Sequence, residues 1–203
     1  RSIVSDNVIE SQDIAGYLRK DVADELGLRE GIPVVGGAGD QPACGLGSGV
    51  YKEGIVSATI GTSGVVYAAA NKPISDVNQA AALSFCHSVP NTWCLFGCTL
   101  AAGGSFKWLR DTIFADERDA MIKDGKDVYT LMTDLASKAS IGSEGLVFLP
   151  YLNGERTPYP DPYAKGVFFG LSYRHGLNEM SRSVMEGVTF SLRDTIELLR
   201  DAD

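Results

Sequence analysis

A single aspartate, Asp40, stands where a carboxylate could act as a general base. It follows an apolar run over residues 31–36 and a glycine turn over residues 37–39. The run predicts a short buried strand, so the Asp40 side chain should project from a strand end into a cleft, where open α/β sheets bind ligands. A carboxylate there could accept the proton of a hydroxyl group that attacks phosphorus. Aspartate is also a favoured N-cap and Pro42 marks a helix start, so helix capping is the structural alternative.

A second candidate is the glycine-rich segment Gly-Thr-Ser-Gly at residues 61–64. It joins the strand-like runs 55–60 and 65–69, which predicts a β-hairpin with this segment as its tip. Glycines let backbone N–H groups converge on an anion, and the hydroxyl groups of Thr62 and Ser63 add donors. The Gly-Lys-Ser/Thr of a Walker A loop is absent. The tip therefore predicts either a phosphate contact or an ordinary glycine turn.

A third candidate is the predicted helix start at Gly103 and Gly104. Exposed N–H groups and the positive end of the helix dipole at such a start suit a phosphate or a nucleotide. Lys107 lies one turn into the helix and could reach the same ligand. A solvated surface lysine is the alternative interpretation of Lys107.

The elements around these candidates are short apolar runs and amphipathic segments. Strands followed by helices predict an α/β domain. The final helix should begin at the N-cap Asn178, and its apolar stripe should consist of Met180, Val184, Val188, Leu192 and Ile196. The predicted helices cover residues 21–26, 43–48, 103–113, 128–139 and 179 onward. The first of them should end at the C-cap Gly27, and the helix over 43–48 should be closely packed. The predicted strands are residues 31–36, the two strands of the hairpin, residues 93–96 and a buried strand over 146–149.

Residues 150–170 form a long segment without periodicity that holds four prolines. A loop of that length inside a compact domain is usually functional or disordered. Glu155 and Arg156 are neighbours within it and could form a surface pair.

Composition narrows the classes of partner and site. The formal net charge of −8 argues against binding to a nucleic-acid backbone, and no run approaches the roughly 20 apolar residues of a membrane span. Four cysteines, Cys44, Cys86, Cys94 and Cys98, accompany two histidines, which makes a zinc site improbable. We expect four buried free thiols in a reducing cytoplasm and no protein-bound metal. The default expectation is an acidic protein with a small-molecule substrate.

Taken together and in order, these segments resemble the FGGY family of carbohydrate kinases, especially its xylulokinase branch. The resemblance runs from about residue 15 to the end of the chain. It is carried by Gly-Ala-Gly-Asp-Gln at 37–41, Ile-Gly-Thr-Ser-Gly-Val-Val at 60–66, Pro-Tyr-Leu-Asn-Gly-Glu-Arg-Thr-Pro at 150–158, Asp-Pro-Tyr-Ala-Lys-Gly-Val-Phe-Phe-Gly-Leu at 161–171 and Glu-Gly-Val-Thr-Phe-Ser-Leu-Arg-Asp at 186–194.

The resemblance implies part of an actin-like, ribonuclease H-like ATPase fold with two domains around a cleft. Residues 1–50 would end the N-terminal sugar-binding domain, and residues 51–203 would begin the C-terminal nucleotide-binding domain. The long loop would line the domain interface. ATP with Mg²⁺ would be the phosphoryl donor, and domain closure would exclude water from it.

The resemblance also implies roles for individual residues. Asp40 would be the catalytic base, and Asp40 with Gln41 would contact the sugar. Where relatives commonly have Asn, this chain has Gln41, which puts the identity of the sugar in doubt; Lys107 stands where some relatives carry Gln. The nucleotide and its phosphates would be bound by Gly61, Thr62, Ser63, Gly103 and Lys107.

The implied reaction is ATP-dependent phosphorylation of D-xylulose at its terminal hydroxyl, in the cytoplasm. The alternatives are a kinase for gluconate, ribulose, fuculose or glycerol, or a non-catalytic actin-like domain for assembly or regulation. The resemblance allows a homodimer. Relatives have an N-terminal phosphate loop, upstream sugar contacts and a later adenine-contacting segment that these residues lack. We therefore expect an internal fragment that neither binds sugar tightly nor turns over.

Overall fold

The computed structural model describes residue 3, residues 7–74 and residues 82–201. The chain divides into two compact units, which are described separately. Unit one comprises Arg1–Ser57, Tyr67–Pro73 and Ser84–Leu95, and unit two comprises Ala58–Val66, Ile74–Leu83 and Phe96–Asp203. Within the described ranges, no helix combines the length and apolarity needed to cross a membrane.

Unit one begins with a small antiparallel ribbon. Strand β1 (Ile14–Tyr17) pairs with β2 (Pro33–Val35). Between them, α1 (Lys20–Leu26) ends at Gly27, whose φ of 66° is left-handed. Glycine adopts this conformation without a Cβ penalty, so the predicted C-cap is confirmed. Helix α2 (Asp40–Gly47) follows the glycine turn.

The central sheet has the strand order β3-β4-β6-β5, and each of its strands has residues in both units. Strands β3 (Val56–Ile60) and β4 (Gly64–Ala70) are the predicted hairpin. The predicted strand at 93–96 is β6 (Trp93–Thr99), which is longer than expected. Strand β5 (Leu83–Cys86) was missed, because four residues without clear alternation give little signal.

Unit two is mainly helical and contains a continuous apolar core. Its helices are α3 (Gly103–Thr112), α4 (Ala115–Lys123), α5 (Val128–Lys138) and α6 (Leu177–Asp201). Helix α6 packs on α3, on α5 and on strand β7 (Val147–Leu149). A Cβ on Gly187 would collide with the carbonyl oxygen of Phe148, so glycine permits this close approach of α6 to β7. The core consists of Leu109, Phe114, Val128, Met132, Phe148 and Val184.

The long loop after β7 returns to the same strand. Strand β8 (Val167–Phe169) pairs antiparallel with β7, with Phe148 opposite Phe168. The rings of these two residues lie 4.8 Å apart, and the Trp108 ring lies 6.2 Å from that of Phe148. This aromatic packing ties the end of the loop to α3.

Several predicted burials are wrong. Strand β2 is exposed at all three residues, because among the described residues it has only β1 as a sheet neighbour. In β7 only Phe148 is buried, since the strand also belongs to a two-stranded sheet. Helix α2 is closely packed only at Gly45, where a Cβ would lie 2.3 Å from the Tyr67 ring, and Gly45 is the one buried residue of the helix.

Two local predictions also fail. Helix α6 begins at Leu177, so Asn178 lies inside the helix rather than at its N-cap. Cys94 is buried and Cys98 partly buried, but Cys44 and Cys86 are exposed. The reason is position: Cys44 lies on the exposed helix α2, and Cys86 ends the edge strand β5.

Candidate functional site

Asp40 lies in unit one as the first residue of helix α2. The N-cap is Gly39, and no side chain caps the helix, so the capping interpretation of Asp40 is wrong. Its Oδ1 accepts a hydrogen bond of 2.8 Å from the backbone N–H of Gln41. The carboxylate is exposed at the start of the helix. Asp40 is thus accessible to a ligand, and Gln41 follows it in the same helical turn.

In unit two, the hairpin tip is bound to the start of α3. The backbone N–H of Gly61 donates to the carbonyl of Ser63, which closes the tip. The N–H of Gly103 donates to the carbonyl of Gly61, and the N–H groups of Ala102 and Gly104 donate to that of Thr62, each at 2.9 Å. The structure therefore brings the predicted residues Gly61, Thr62 and Gly103 together.

This contact corrects one expectation about the helix start. The N–H groups of Gly103 and Gly104 were expected to be exposed and ready for a phosphate, but they are already bonded to hairpin carbonyls. A Cβ at Gly103 would lie 2.5 Å from the Gly61 oxygen, and one at Gly104 would lie 2.9 Å from the Thr62 oxygen. These glycines therefore allow backbone to approach backbone.

The side chains of the tip remain available to a ligand. Among the described residues, neither the Thr62 nor the Ser63 hydroxyl makes a hydrogen bond. Thr62 lines a cavity of about 340 Å³, within the range of roughly 300–1,000 Å³ typical of small-molecule sites. The cavity walls come from the tip, from α3 and from the long loop: Thr62, Leu100, Ala101, Gly104, Lys107, Trp108, Asp111, Leu152 and Asn153.

A charged cluster borders this cavity. Asp111 Oδ2 lies 3.4 Å from Lys107 Nζ, and Asp111 Oδ1 lies 2.7 Å from Arg110 Nη2 and 3.2 Å from Arg118 Nη1. The hydrogen bond from Arg110 is the main reason why the pKa of Asp111 falls well below its ordinary value. Asp119 pairs with Arg118, and the negative charge of Asp127 acts on Arg110, so the cations of this cluster are balanced by carboxylates.

Lys107 can exchange its partner for a ligand. Its side chain is 60% exposed, and an exposed ion pair of this kind contributes little to stability. The ammonium group therefore stays on the cavity rim with a weakly held partner. This is the geometry expected of a lysine that binds phosphate or another polar group of a nucleotide.

Sequence reasoning assigned no role to three residues of this site. Asp111 and Asn153 line the cavity, and Glu155 is buried behind it. The predicted surface pair of Glu155 and Arg156 is wrong, because Glu155 is 3% exposed and forms no ion pair within the described chain. The signal that could have found Asn153 and Glu155 was their place in the loop after a strand, where polar side chains often serve function.

The site residues fall into two groups. Asp40 and Gln41 belong to unit one, and Gly61, Thr62, Ser63, Gly103 and Lys107 belong to unit two. The second group, with its hydroxyl groups, its lysine and its cavity, fits the phosphates and sugar of a nucleotide. Asp111, the carboxylate among the lining residues, already binds Arg110 and Arg118, so a magnesium ion would fit here as part of MgATP.

Comparison with known proteins agrees with the sequence resemblance. The profile of the C-terminal domain of the FGGY family of carbohydrate kinases matches residues 56–203. Xylulose kinase of Staphylococcus epidermidis is 37% identical over 195 residues, which cover 96% of this chain and 37% of that protein. The chain therefore spans little more than a third of the length of this relative.

Solved structures give the same result. The crystal structure of a xyloylose kinase from Brucella ovis superposes with a TM-score of 0.82 at 34% identity, covering 96% of this chain and 37% of that one. The crystal structure of gluconate kinase from Lactobacillus acidophilus superposes with a TM-score of 0.81 at 30% identity, covering 94% of this chain and 37% of that one. The fold is thus part of the actin-like, ribonuclease H-like fold, as predicted. The chain belongs to the FGGY family of carbohydrate kinases.

Proposed function

We propose that the protein containing this chain transfers the γ-phosphoryl group of ATP to the terminal hydroxyl of D-xylulose. The observation that carries the kinase assignment is the cavity at the junction of the hairpin tip and α3, bordered by Thr62, Lys107 and Asn153. Its free hydroxyl and the exposed ammonium group of its lysine suit the phosphates of a nucleotide. D-Xylulose is favoured because relatives that are 36% and 37% identical over nearly the whole chain are named xylulose kinases.

In this reaction the sugar hydroxyl oxygen attacks the γ-phosphorus, and the bond from that phosphorus to the β,γ-bridging oxygen breaks. The hydroxyl proton passes to the Asp40 carboxylate, and ADP leaves with the bonding electron pair. Gln41 contacts the sugar. Thr62, Ser63 and Lys107 hold the nucleotide phosphates, with Gly61 and Gly103 shaping the backbone beneath them. Magnesium bound to ATP would neutralise charge on its phosphates.

The two groups of residues suggest that two parts of the chain bind different substrates. Residues 1–50 would complete a sugar-binding domain, and residues 51–203 would begin a nucleotide-binding domain. The match of the C-terminal family profile, which starts at residue 56, supports this boundary. A cytoplasmic location and a homodimer remain predictions from the sequence.

Gluconate is the second candidate substrate. A specific observation favours it: the gluconate kinase structure matches almost as well as the xylulose kinase structures, and gluconokinase of Bacillus subtilis is 32% identical over 186 residues. The same base and the same nucleotide site would serve this reaction, because only the contacts to the sugar would change.

The decisive experiment measures ADP release by the full gene product with a panel of sugars and polyols. We expect selective activity on D-xylulose, and we expect Asp40→Asn to lower kcat by about a thousandfold, within the range for losing a general base. Asp24→Asn is the matched control, since Asp24 is an exposed helical aspartate of the same unit.

Each outcome has a distinct meaning. Selective activity on gluconate would keep the mechanism and replace the substrate. Activity retained in Asp40→Asn would remove Asp40 as the base. ADP release stimulated by no sugar would favour the assembly or regulatory interpretation. The isolated 203-residue chain should show no turnover.

A further inference from the structure

Glu155 is a buried carboxylate that the proposed reaction does not use. Its side chain is 3% exposed. Oε2 accepts a hydrogen bond of 2.5 Å from the Thr99 hydroxyl. Oε1 accepts from the backbone N–H of Leu100 at 3.0 Å and from that of Arg156 at 2.7 Å. The carboxylate therefore joins the end of strand β6 to the long loop.

The hydrogen bonds continue to helix α6. The Ser191 hydroxyl donates to Thr99 Oγ1 at 3.2 Å, and both side chains are buried. Burying a carboxylate is unfavourable unless donors satisfy it, as these three do. An apolar residue in place of Glu155 would leave the buried hydroxyl of Thr99 and the N–H of Leu100 without this acceptor. The hydrogen-bond network therefore links three segments, the end of β6, the long loop and α6, and we call it the joint.

This joint lies between two walls of the nucleotide cavity. On one side, Leu100 and the adjacent Ala101 line the cavity where β6 leads into α3. On the other side, Leu152 and Asn153 line it from the loop that contains Glu155. Because Glu155 bonds the loop to the N–H of Leu100, it fixes the separation of these walls.

Packing beside the joint leaves no room for the loop to shift toward β6. A Cβ at Gly97 of β6 would lie 2.5 Å from Thr157 Cγ2 and 2.6 Å from Thr195 Cγ2. A Cβ at Gly64, at the start of β4, would lie 2.8 Å from Leu192 Cδ2. Loop, β6, hairpin and α6 are therefore in direct contact, and a change at Glu155 would be transmitted to the cavity.

We propose that Glu155 is a positioning residue for the nucleotide: it sets the spacing of the cavity walls and so the affinity for MgATP. This rests on the proposed function, in which the cavity takes the nucleotide. Glu155 acts through Leu100 and Asn153 and touches no reacting atom.

The test uses Glu155→Gln in the full gene product. Glutamine keeps the size of the side chain, but its amide turns an N–H₂ group toward donors, so at least one of the three bonds is lost. The matched control is Glu186→Gln. Glu186 likewise accepts from a backbone N–H, that of Gly142 at 3.0 Å, and from the Ser143 hydroxyl at 2.9 Å; it also pairs with Arg182 at 2.7 Å, and it does not line this cavity.

We expect Glu155→Gln to raise the KM for MgATP about tenfold, the loss typical of one hydrogen bond to a charged group. The KM for the sugar and kcat should stay within about twofold of their wild-type values. In Glu186→Gln, both KM values and kcat should stay within about twofold of wild type. Hydrogen exchange of the Leu100 amide should accelerate in Glu155→Gln alone. A KM for MgATP that stays within about twofold of wild type, or that rises equally in both variants, would overturn the proposal.

Two further experiments test the proposal if the first one gives no result. If Glu155→Gln does not fold, Thr99→Val removes one donor without changing the shape of the side chain, and about a threefold rise in the KM for MgATP is then expected. If wild type releases no ADP with any sugar, the proposed reaction fails, and calorimetric binding of MgADP decides instead. A dissociation constant about tenfold higher in Glu155→Gln would support the proposal, whereas an unchanged constant or no binding by wild type would refute it.

Discussion

Helices α2 and α3 both have glycines at or just before their first residues, yet the two helix starts differ in structure. At α2 the N-cap is Gly39, no side chain caps the helix, and Asp40 is exposed. At α3 the N–H groups of Gly103 and Gly104 donate to carbonyls of the hairpin tip. The same local signal therefore produces an open helix start in one unit and an occupied one in the other. The difference teaches that glycines at a helix start do not by themselves indicate a close approach: a Cβ at Gly37 would meet nothing within 4 Å, whereas one at Gly103 would meet the Gly61 oxygen at 2.5 Å.

The helices behind these starts differ in the same way. In α3, Ser105 and Leu109 are fully buried, and Leu109 belongs to the core of unit two. In unit one, Leu26 of α1 is 60% exposed and Leu46 of α2 is 48% exposed. Helix α3 is thus stabilised by packing within its own unit, whereas α1 and α2 present apolar side chains on their surface.

The largest expected effect is on stability. Leu109→Ala should lower the free energy of unfolding by about 2–5 kcal/mol, because it removes a fully buried side chain and leaves a cavity. Leu26→Ala should change it by no more than about 0.5 kcal/mol. Urea denaturation followed by circular dichroism measures both. Equal losses for the two variants would show that α1 is packed as tightly as α3.

A smaller effect is expected where the hairpin tip contacts α3. Gly103→Ala should destabilise by about 1–3 kcal/mol, because its Cβ would press on the Gly61 carbonyl. Gly47→Ala is the control: nothing lies within 4 Å of its Cβ position, so alanine should be neutral or slightly stabilising there. The same denaturation experiment decides, and a Gly103→Ala protein as stable as Gly47→Ala would disprove the backbone contact.

Lys107→Met probes the cavity rim without disturbing the core. We expect MgADP to bind about tenfold more weakly, with the free energy of unfolding changed by less than about 0.5 kcal/mol, because the pair with Asp111 is exposed. Calorimetry at two salt concentrations measures this, and the difference from wild type should shrink as salt is raised. Lys123→Met, in the last turn of α4, should bind MgADP like wild type.

The smallest effect concerns Tyr151, at the start of the long loop. Burial is the main cause that raises the pKa of Tyr151 to about 12, and the negative charges of Tyr159, Glu155 and Asp194 add to it. Because the folded pKa lies above the unfolded value of about 10, the stability from this group is complete below pH 10 and is lost as pH rises toward 12. Ultraviolet titration of phenolate measures the transition.

Two variants distinguish Tyr151 from other tyrosines that ionise only at high pH. Tyr67 is one of these, because burial also raises its pKa. Tyr151→Phe should remove one late-titrating group, whereas Tyr163→Phe, at a residue that is 84% exposed, should leave the late transition intact. A transition of the same size in Tyr151→Phe and wild type would show that this ring is solvated.

The sequence predicted much of the architecture. The hairpin, the C-cap Gly27, the start of α3 at Gly103 and the helix over 128–139 were all predicted from short-range patterns and are confirmed. Boundaries that depend on long-range packing were predicted less well, as Asn178 and β5 show. Local propensity decides between helix, strand and turn, whereas neighbours decide where an element stops.

The same distinction between local sequence and long-range packing applies to the candidate site. The order of motifs determined the family and the α/β fold class, and it suggested which residues do chemistry, because residue type and spacing belong to the chain itself. Only the tertiary structure showed that the amides of Gly103 and Gly104 are occupied, that β2 is exposed and that Glu155 is buried behind the cavity. Which groups meet depends on segments far apart in sequence, such as Thr99, Glu155 and Ser191, and no local pattern encodes that meeting.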